Sequence, residues 1–247
     1  MANWSDPQVS VTPQGGTVGM ATGTSVDAGL RAHMLTVYNY MTSGILLTGI
    51  VALAFAWGGS DSLAYQIARN GGILTWVVML APLGIVLWLS FGINRLSEGA
   101  AKALFFLYSA LMGASLSFIF LIYTQGSIAL TFFATAAAFA SLSLYGYTTK
   151  RDLSGMGTFL LMGVVGLIIA SLLNLWLRSE PMMYAISGLG VLIFAGLTVY
   201  DTQKIKSLYF QLPGAELGKA AIMGALQLYL DFINMFMFLL RFMGSRD

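Results

Sequence analysis

Of 247 residues, 57% are hydrophobic and 9% charged, where a soluble domain carries about 25% charged residues, so a water-facing globular enzyme is excluded. The apolar inventory of about 141 residues suffices for about seven membrane-crossing helices of about 20 residues each. A net charge of +2 leaves no electrostatic footprint for nucleic acid, and the lack of cysteine removes disulfides, thiolate nucleophiles and cysteine metal sites.

Residues 1–33 contain Pro7, Pro13, the pair Gly15-Gly16 and many Ser and Thr, with no apolar run of signal-peptide length. A mobile, uncleaved cytoplasmic tail is expected there, and the first hydrophobic helix then acts as its own insertion signal. Uninterrupted apolar stretches follow at Leu35 to Trp57, Ile73 to Phe91, Ala103 to Tyr123, Ile128 to Tyr147, Phe159 to Leu177, Met182 to Tyr200 and Ala220 to Leu240. Backbone in lipid must satisfy its own hydrogen bonds, and stretches of this length without ten-residue alternation select helices over a barrel. The expected fold is an all-α integral membrane bundle of seven helices over residues 34–243, with a short C-terminal tail at 244–247.

With the tail placed in the cytoplasm, Arg31, Arg95, Lys102, Lys150, Arg151, Lys204, Lys206 and Lys219 fall inside, against Arg69, Arg178, Arg241 and Arg246 outside. The positive-inside bias therefore puts the N-terminus in the cytoplasm and the C-terminus outside, in a plasma or bacterial inner membrane. Glycine is frequent at 28 residues, and small residues recur every four positions as Ser109, Gly113 and Ser117 on the third span and Gly166, Ala170 and Asn174 on the fifth. Such smooth strips permit close helix contact. Trp57, Trp76, Trp176, Tyr123, Tyr147 and Tyr184 near span ends read as interfacial anchors, and the 14 methionines as packing filler.

Most charges lie in the tail or the connections, but Asp231 lies about halfway along the last span, roughly 16 Å from Ala220. An ionised carboxylate there costs at least a few kcal/mol unless paired or hydrated. Gln227 precedes it by four residues and Asn234 follows by three, so all three share one helical face, which Gly224 and Arg241 extend. A face of amide, carboxylate, amide and guanidinium does not belong against lipid, so the seventh span is expected to be central. A hydrogen-bonded structural Asp locking two helices is the plainer alternative.

Asp201 ends the sixth apolar stretch, followed by Thr202, Gln203 and Lys204. A helix stopping there would disfavour a carboxylate at its C-terminus, with Lys204 or Lys206 as an offset, and simple capping at the membrane edge fits equally. At the second-to-third connection, Glu98 has the spacing to pair with Arg95 and Lys102; the sharper reading brings Arg95 across to Asp201.

The block Leu226-Gln-Leu-Tyr-Leu-Asp-Phe-Ile-Asn-Met-Phe236, ending in Leu239-Leu-Arg-Phe242, resembles the last-helix signature of the transmembrane Bax inhibitor motif family, also called the Bax inhibitor-1 family, in its bacterial form. Tyr200-Asp-Thr-Gln203 with Lys204-Ile-Lys206 resembles the end of that family's sixth helix, and Ile93-Asn-Arg-Leu-Ser97 its second connection. The resemblance, over about residues 30 to 243, implies a central seventh helix enclosed by six others, and a carboxylate pair serving as pH sensor in members that leak calcium. Asp201 and Asp231 match the pair, and Arg95 the arginine that latches the closed form through the sixth-helix Asp. A long polar connection with Pro213 and Gly214 is expected after Asp201.

Two carboxylates a few ångströms apart cannot both ionise cheaply, so one proton is shared. Calcium favours carboxylate, amide and carbonyl oxygens, and Asp201, Asp231, Gln227 and Asn234 supply several for a transient site, with Arg241 completing the polar face. The leading expectation is a pH-sensitive calcium leak channel, not an enzyme, with no cofactor or stable metal and with the lipid bilayer and cations as its partners. The alternatives are a non-conducting regulator whose partner is a membrane protease or cell-death protein, a proton-coupled transporter, and an intramembrane aspartyl protease. The protease reading lacks Gly-x-Gly-Asp, since the chain reads Leu228-Tyr-Leu-Asp231. A retinal pigment lacks a lysine within the last span. A Ser-His hydrolase lacks a membrane histidine, because the sole histidine, His33, reads as a solvated flank residue. Gly188-Leu-Gly190 is a packing feature, being without the third glycine of a dinucleotide fingerprint.

Overall fold

A computed structural model describes residues 18–246, with side chains from Asp27 onward. The tail expected at residues 1–33 lies outside the described residues up to position 17, and from Val18 the chain is helical. Eight α-helices follow: α1 Val18–Ala56, α2 Leu63–Asn70, α3 Ile73–Gly92, α4 Glu98–Leu116, α5 Gln125–Thr148, α6 Ser154–Leu177, α7 Glu180–Gln211 and α8 Leu217–Met243. All but the eight-residue α2 are long and apolar enough to cross a membrane, so the chain is an all-α, seven-span integral membrane protein.

The helix starts are written in the sequence. Ser62, Ser97, Thr124 and Ser179 stand just before α2, α4, α5 and α7, and each side chain accepts a hydrogen bond from the backbone N–H three residues on. These caps satisfy donors that a helix start otherwise leaves unpaired. Asp152 acts similarly before α6, accepting from the Ser154 N–H at 2.9 Å; the Ser154 hydroxyl first, and this N–H second, hold its exposed carboxyl below the usual aspartate range. Between α2 and α3 the chain turns through Gly71 and Gly72 at φ +61° and +80°, which favours glycine.

Two elements differ from the sequence reading. The short α2 falls between apolar stretches and buries only Ala64, so hydropathy passes over it. More important, the sixth span does not stop at Asp201 but continues for ten further residues to Gln211. Thr198, Asp201, Thr202 and Ile205 are buried along one stripe of α7, while Gln203, Lys204 and Ser207 are only partly covered. That alternation keeps the helix intact where a count of apolar residues ends it. The expected long polar connection shrinks to Leu212, Pro213 and a 3-10 turn at Gly214–Glu216.

The last helix is central. Its most apolar stretch is 61% buried, against 11–39% for the other six spans, and it packs on α7, α1, α5 and α4. The outer helices instead present Trp57, Trp76 and Trp176 at their ends, as interfacial anchors do; Tyr123, expected among them, is buried and stacks under the Arg246 guanidinium. The C-terminal residues are tied down as well, with the Ser245 N–H donating to Ser127 Oγ at 2.9 Å and the Thr124 N–H to the Ser245 carbonyl at 3.1 Å.

Small residues set the closest approaches. A Cβ on Gly113 would lie 2.5 Å from the Thr48 carbonyl oxygen of α1, and one on Gly146 would lie 2.5 Å from the Val199 carbonyl oxygen of α7. The strip on α4 thus packs against α1 within the chain. The strip expected on α6 does not act this way, because Gly166 faces open space; Gly157 and Gly163 make the contacts with α7 instead, against Tyr200 and Ile193. Gly190 packs against Phe238, the packing role expected for that glycine pair.

A polar knot joins α1, α4 and α8. Thr48 Oγ1 donates to the Ser109 carbonyl at 2.8 Å and lies 2.7 Å from the Tyr229 hydroxyl. A threonine has one O–H proton, so Tyr229 is the donor in the second bond. Thr48→Val removes both bonds and Tyr229→Phe only one, and each bond in a membrane interior contributes about 0.6–1.7 kcal/mol. Thermal unfolding in detergent should show the larger loss for Thr48→Val, and less than the sum for the pair. In the same assay Gly113→Ala and Gly146→Ala lower stability by about 1–3 kcal/mol through overpacking, whereas Gly166→Ala is neutral or gains up to about 1 kcal/mol.

Candidate functional site

Asp231 sits near the middle of α8 and is 4% exposed; Asp201 on the adjacent α7 is 8% exposed. The two carboxyl groups lie within hydrogen-bonding reach of one another. Asp231 Oδ2 is fully enclosed and receives no N–H or O–H bond from the described residues. A contact between two carboxyls that is not a repulsion needs one proton between them. Lys204, one helical turn beyond Asp201, is the cation whose charge acts on both acids.

The rest of the polar face assembles around this pair. Between α6, α7 and α8 lies a cavity of about 830 Å³ whose lining includes Asp201, Gln227, Asp231, Asn234 and Arg241. Asn234 Nδ2 is committed to the Leu230 carbonyl at 2.8 Å, which leaves its amide oxygen free to face a ligand. The cavity runs to the end of the bundle where Asn174 lies in the last turn of α6 and Met183 in the first turn of α7. Asn174 there accepts the Ser179 N–H at 3.0 Å, so it caps the turn between these helices. The opposite wall is apolar, made by Leu161, Ile168 and Leu172 of α6.

Arg95 is not brought to the pair. It ends an exposed 3-10 turn, Ile93–Arg95, after α3, and the cation felt by Asp201 is Lys204. The physical reason is the continuation of α7: Lys204 stays on the same helix one turn away, where a counter-charge requires no reach across the bundle. The ladder expected around Glu98 is also replaced, since the Glu98 carboxyl lies against Gly218 in the first turn of α8 and Lys102 sits over the Tyr40 ring at 5.1 Å. Carboxylate charge at a helix N-terminus is favourable. His33 is not a solvated flank residue but buried at 8% exposure, its ring 5.7 Å from that of Tyr209. It lies inside α1 because that helix begins well before the apolar stretch.

Among the described residues no three His, Cys, Asp or Glu side chains converge in a metal-binding group. A divalent ion at this position would draw on two carboxylates, on the amide oxygens of Gln227 and Asn234, and on water. That donor set suits a hard ion in transit.

Sequence reasoning had no signal for the Thr48–Tyr229 knot, whose residues are single hydroxyls in different apolar spans. The buried Ser143 and Thr202 hydroxyls, which lack partners among the described residues, are equally silent in the sequence.

Comparison with known proteins agrees with this architecture. The family model for Bax1-I, inhibitor of apoptosis-promoting Bax1, matches residues 30–247. The inner membrane protein YbhL of Escherichia coli K12 is 48% identical over 223 residues, 89% of this chain and 94% of its own. RP147 of Rickettsia prowazekii is 48% identical over 221 residues, 89% of this chain and 92% of its own, and YrjE of Lactococcus lactis is 40% identical over 216, covering 87% and 92%. With a central last helix, a carboxyl pair shared between its final two spans and a match over nearly its whole length, the chain belongs to the Bax inhibitor-1 family.

Proposed function

We propose that this protein is a pH-sensitive cation leak pathway, with calcium as the cargo and Asp201 and Asp231 as the sensor. The observation that carries the reading is the pair itself: two carboxyls from adjacent spans within hydrogen-bonding reach, on a cavity that also presents the amides of Gln227 and Asn234. YbhL is an inner membrane protein, which supports the same membrane for this chain. The Lys and Arg in or near the α3–α4 and α5–α6 turns, with Lys204, Lys206 and Lys219 in the helix ends that flank the α7–α8 turn, support a cytoplasmic N-terminus and an outside C-terminus.

The mechanism follows from charge. With one proton between the acids, a hydrogen bond ties α7 to α8 and the route past them is closed. Loss of that proton leaves two negative charges in an apolar surrounding, where Coulomb repulsion is strong. Relief comes from helix separation, from Lys204, or from a cation drawn between the oxygens. A divalent ion neutralises both charges at once, and because water and amides complete its shell it is held loosely enough to leave. The role is non-enzymatic: the dyad lacks the Gly-x-Gly-Asp segment of intramembrane aspartyl proteases, and the residue before Asp231 is the bulky Leu230.

Calcium uptake into proteoliposomes across a pH series tests the reading. Flux through the unaltered protein rises with pH, whereas Asp201→Asn and Asp231→Asn each abolish the pH response. The double variant changes little beyond either single one, because the two acids act as a unit. Unchanged flux and an unchanged pH response in both single variants would refute the proposal.

A further inference from the structure

The cavity above the carboxyl pair has a charge asymmetry that the leak reading does not use. Its floor carries Asp201 and Asp231, and its other charged lining residue is Arg241. Arg241 is ten residues beyond Asp231 on α8, about 15 Å along the axis, which is the half-thickness of a bilayer's hydrocarbon core. The guanidinium therefore stands at the level of the membrane edge while the acids stand near the midplane. It lies over the Phe238 ring, 5.7 Å from the centroid, a contact that holds a cation in place without neutralising it.

Other charged groups stand nearby. Arg246 donates to Met183 Sδ at 3.4 Å, and Met183 is itself a lining residue. Arg178 and Glu180 at the α6–α7 turn are exposed. Among the described residues at this end, Arg178, Arg241 and Arg246 stand against Glu180, and Arg241 is the one that lines the cavity.

We infer that Arg241 is a charge-selecting residue at the entrance of the cavity, admitting anions and neutral solutes more readily than cations and disfavouring a divalent ion twice as strongly, in energy, as a monovalent one. A fixed positive charge repels a mobile ion in proportion to that ion's charge, and arginines placed along narrow aqueous routes act as barriers to cations. A cation reaching the acids from this side must cross the barrier before it meets the attraction beyond it. Weak throughput is then built into the chain, which suits a leak.

The chain contains no cysteine, so a single introduced thiol reports on the cavity directly and independently of ion flux. Ser171 of α6 lines the same space and is close in size to cysteine. In Ser171→Cys, modification rates by anionic and cationic methanethiosulfonates, each normalised to a small free thiol, measure the local potential. The thiolate forms a mixed disulfide and methanesulfinate leaves.

Arg241→Gln lowers the anionic-to-cationic rate ratio by roughly tenfold, Arg241→Lys largely preserves it, and Arg178→Gln changes it far less. The lysine variant separates loss of charge from loss of fold. A Ser171→Cys thiol that no reagent reaches, or a ratio that Arg241→Gln leaves unchanged, overturns the inference.

A flux arm rests on the leak reading: Arg241→Gln raises calcium uptake by about the square of its effect on potassium. If the thiol ranking holds while no flux is found with any variant, the leak reading fails and the role of Arg241 stands.

Discussion

A carboxyl group at the middle of an apolar helix constrains everything around it. Left ionised against lipid, Asp231 would cost several kcal/mol, so the helix that carries it must be enclosed and the group must have a partner. Enclosure accounts for the arrangement of the bundle, with α8 surrounded by the outer spans and burying more of its surface than any of them. Partnership is met by α7, which runs past Asp201 and so holds a second carboxyl beside the first, with Lys204 one turn further along the same helix.

The rest of the packing serves to hold these two helices in register. Glycines at 113 and 146 bring backbone against backbone where α4 meets α1 and α5 meets α7, and the Thr48–Tyr229 hydrogen bond fixes the opposite face of α8. Lipid tails are as apolar as the side chains they would replace, so close van der Waals contact and interhelical hydrogen bonds supply the cohesion that the hydrophobic effect supplies in water. By contrast, the side of α8 that faces α6 is held loosely, across a cavity. The polar row from Gln227 to Arg241 lies on that side, so the least tightly packed flank of the central helix is also the one with the chemistry.

Much of this was legible in the sequence because membrane insertion imposes simple rules. Seven apolar stretches and the polar face on the last follow from hydropathy and helical periodicity, whereas the nearness of Asp201 to Asp231 is what the family resemblance of the motifs around each acid implies. Part of what stayed hidden shares a cause: apolar runs mark the bilayer, not the helix. Helices α1 and α7 continue into polar sequence on one face, so hydropathy alone puts His33 outside the bundle and Asp201 at a helix end, although both are buried. The Arg95 latch that the resemblance implies depends on a connection whose direction in space the sequence does not specify; Arg95 ends an exposed turn, and Lys204 is the basic residue one turn from Asp201. Gly166 shows the matching limit for small residues, since a four-residue spacing defines a smooth strip without saying whether another helix lies against it.

Proton occupancy as the link between the two acids and the closed route is the core of the account. The most direct measurement is the separation of the Asp201 and Asp231 carboxyl oxygens in structures solved in lipid at low and at high pH. The account predicts a hydrogen-bonded pair at low pH and a widened gap, with α7 displaced from α8 or a cation between the oxygens, at high pH. An identical, close pair at both values, alongside a leak that still responds to pH, would contradict it.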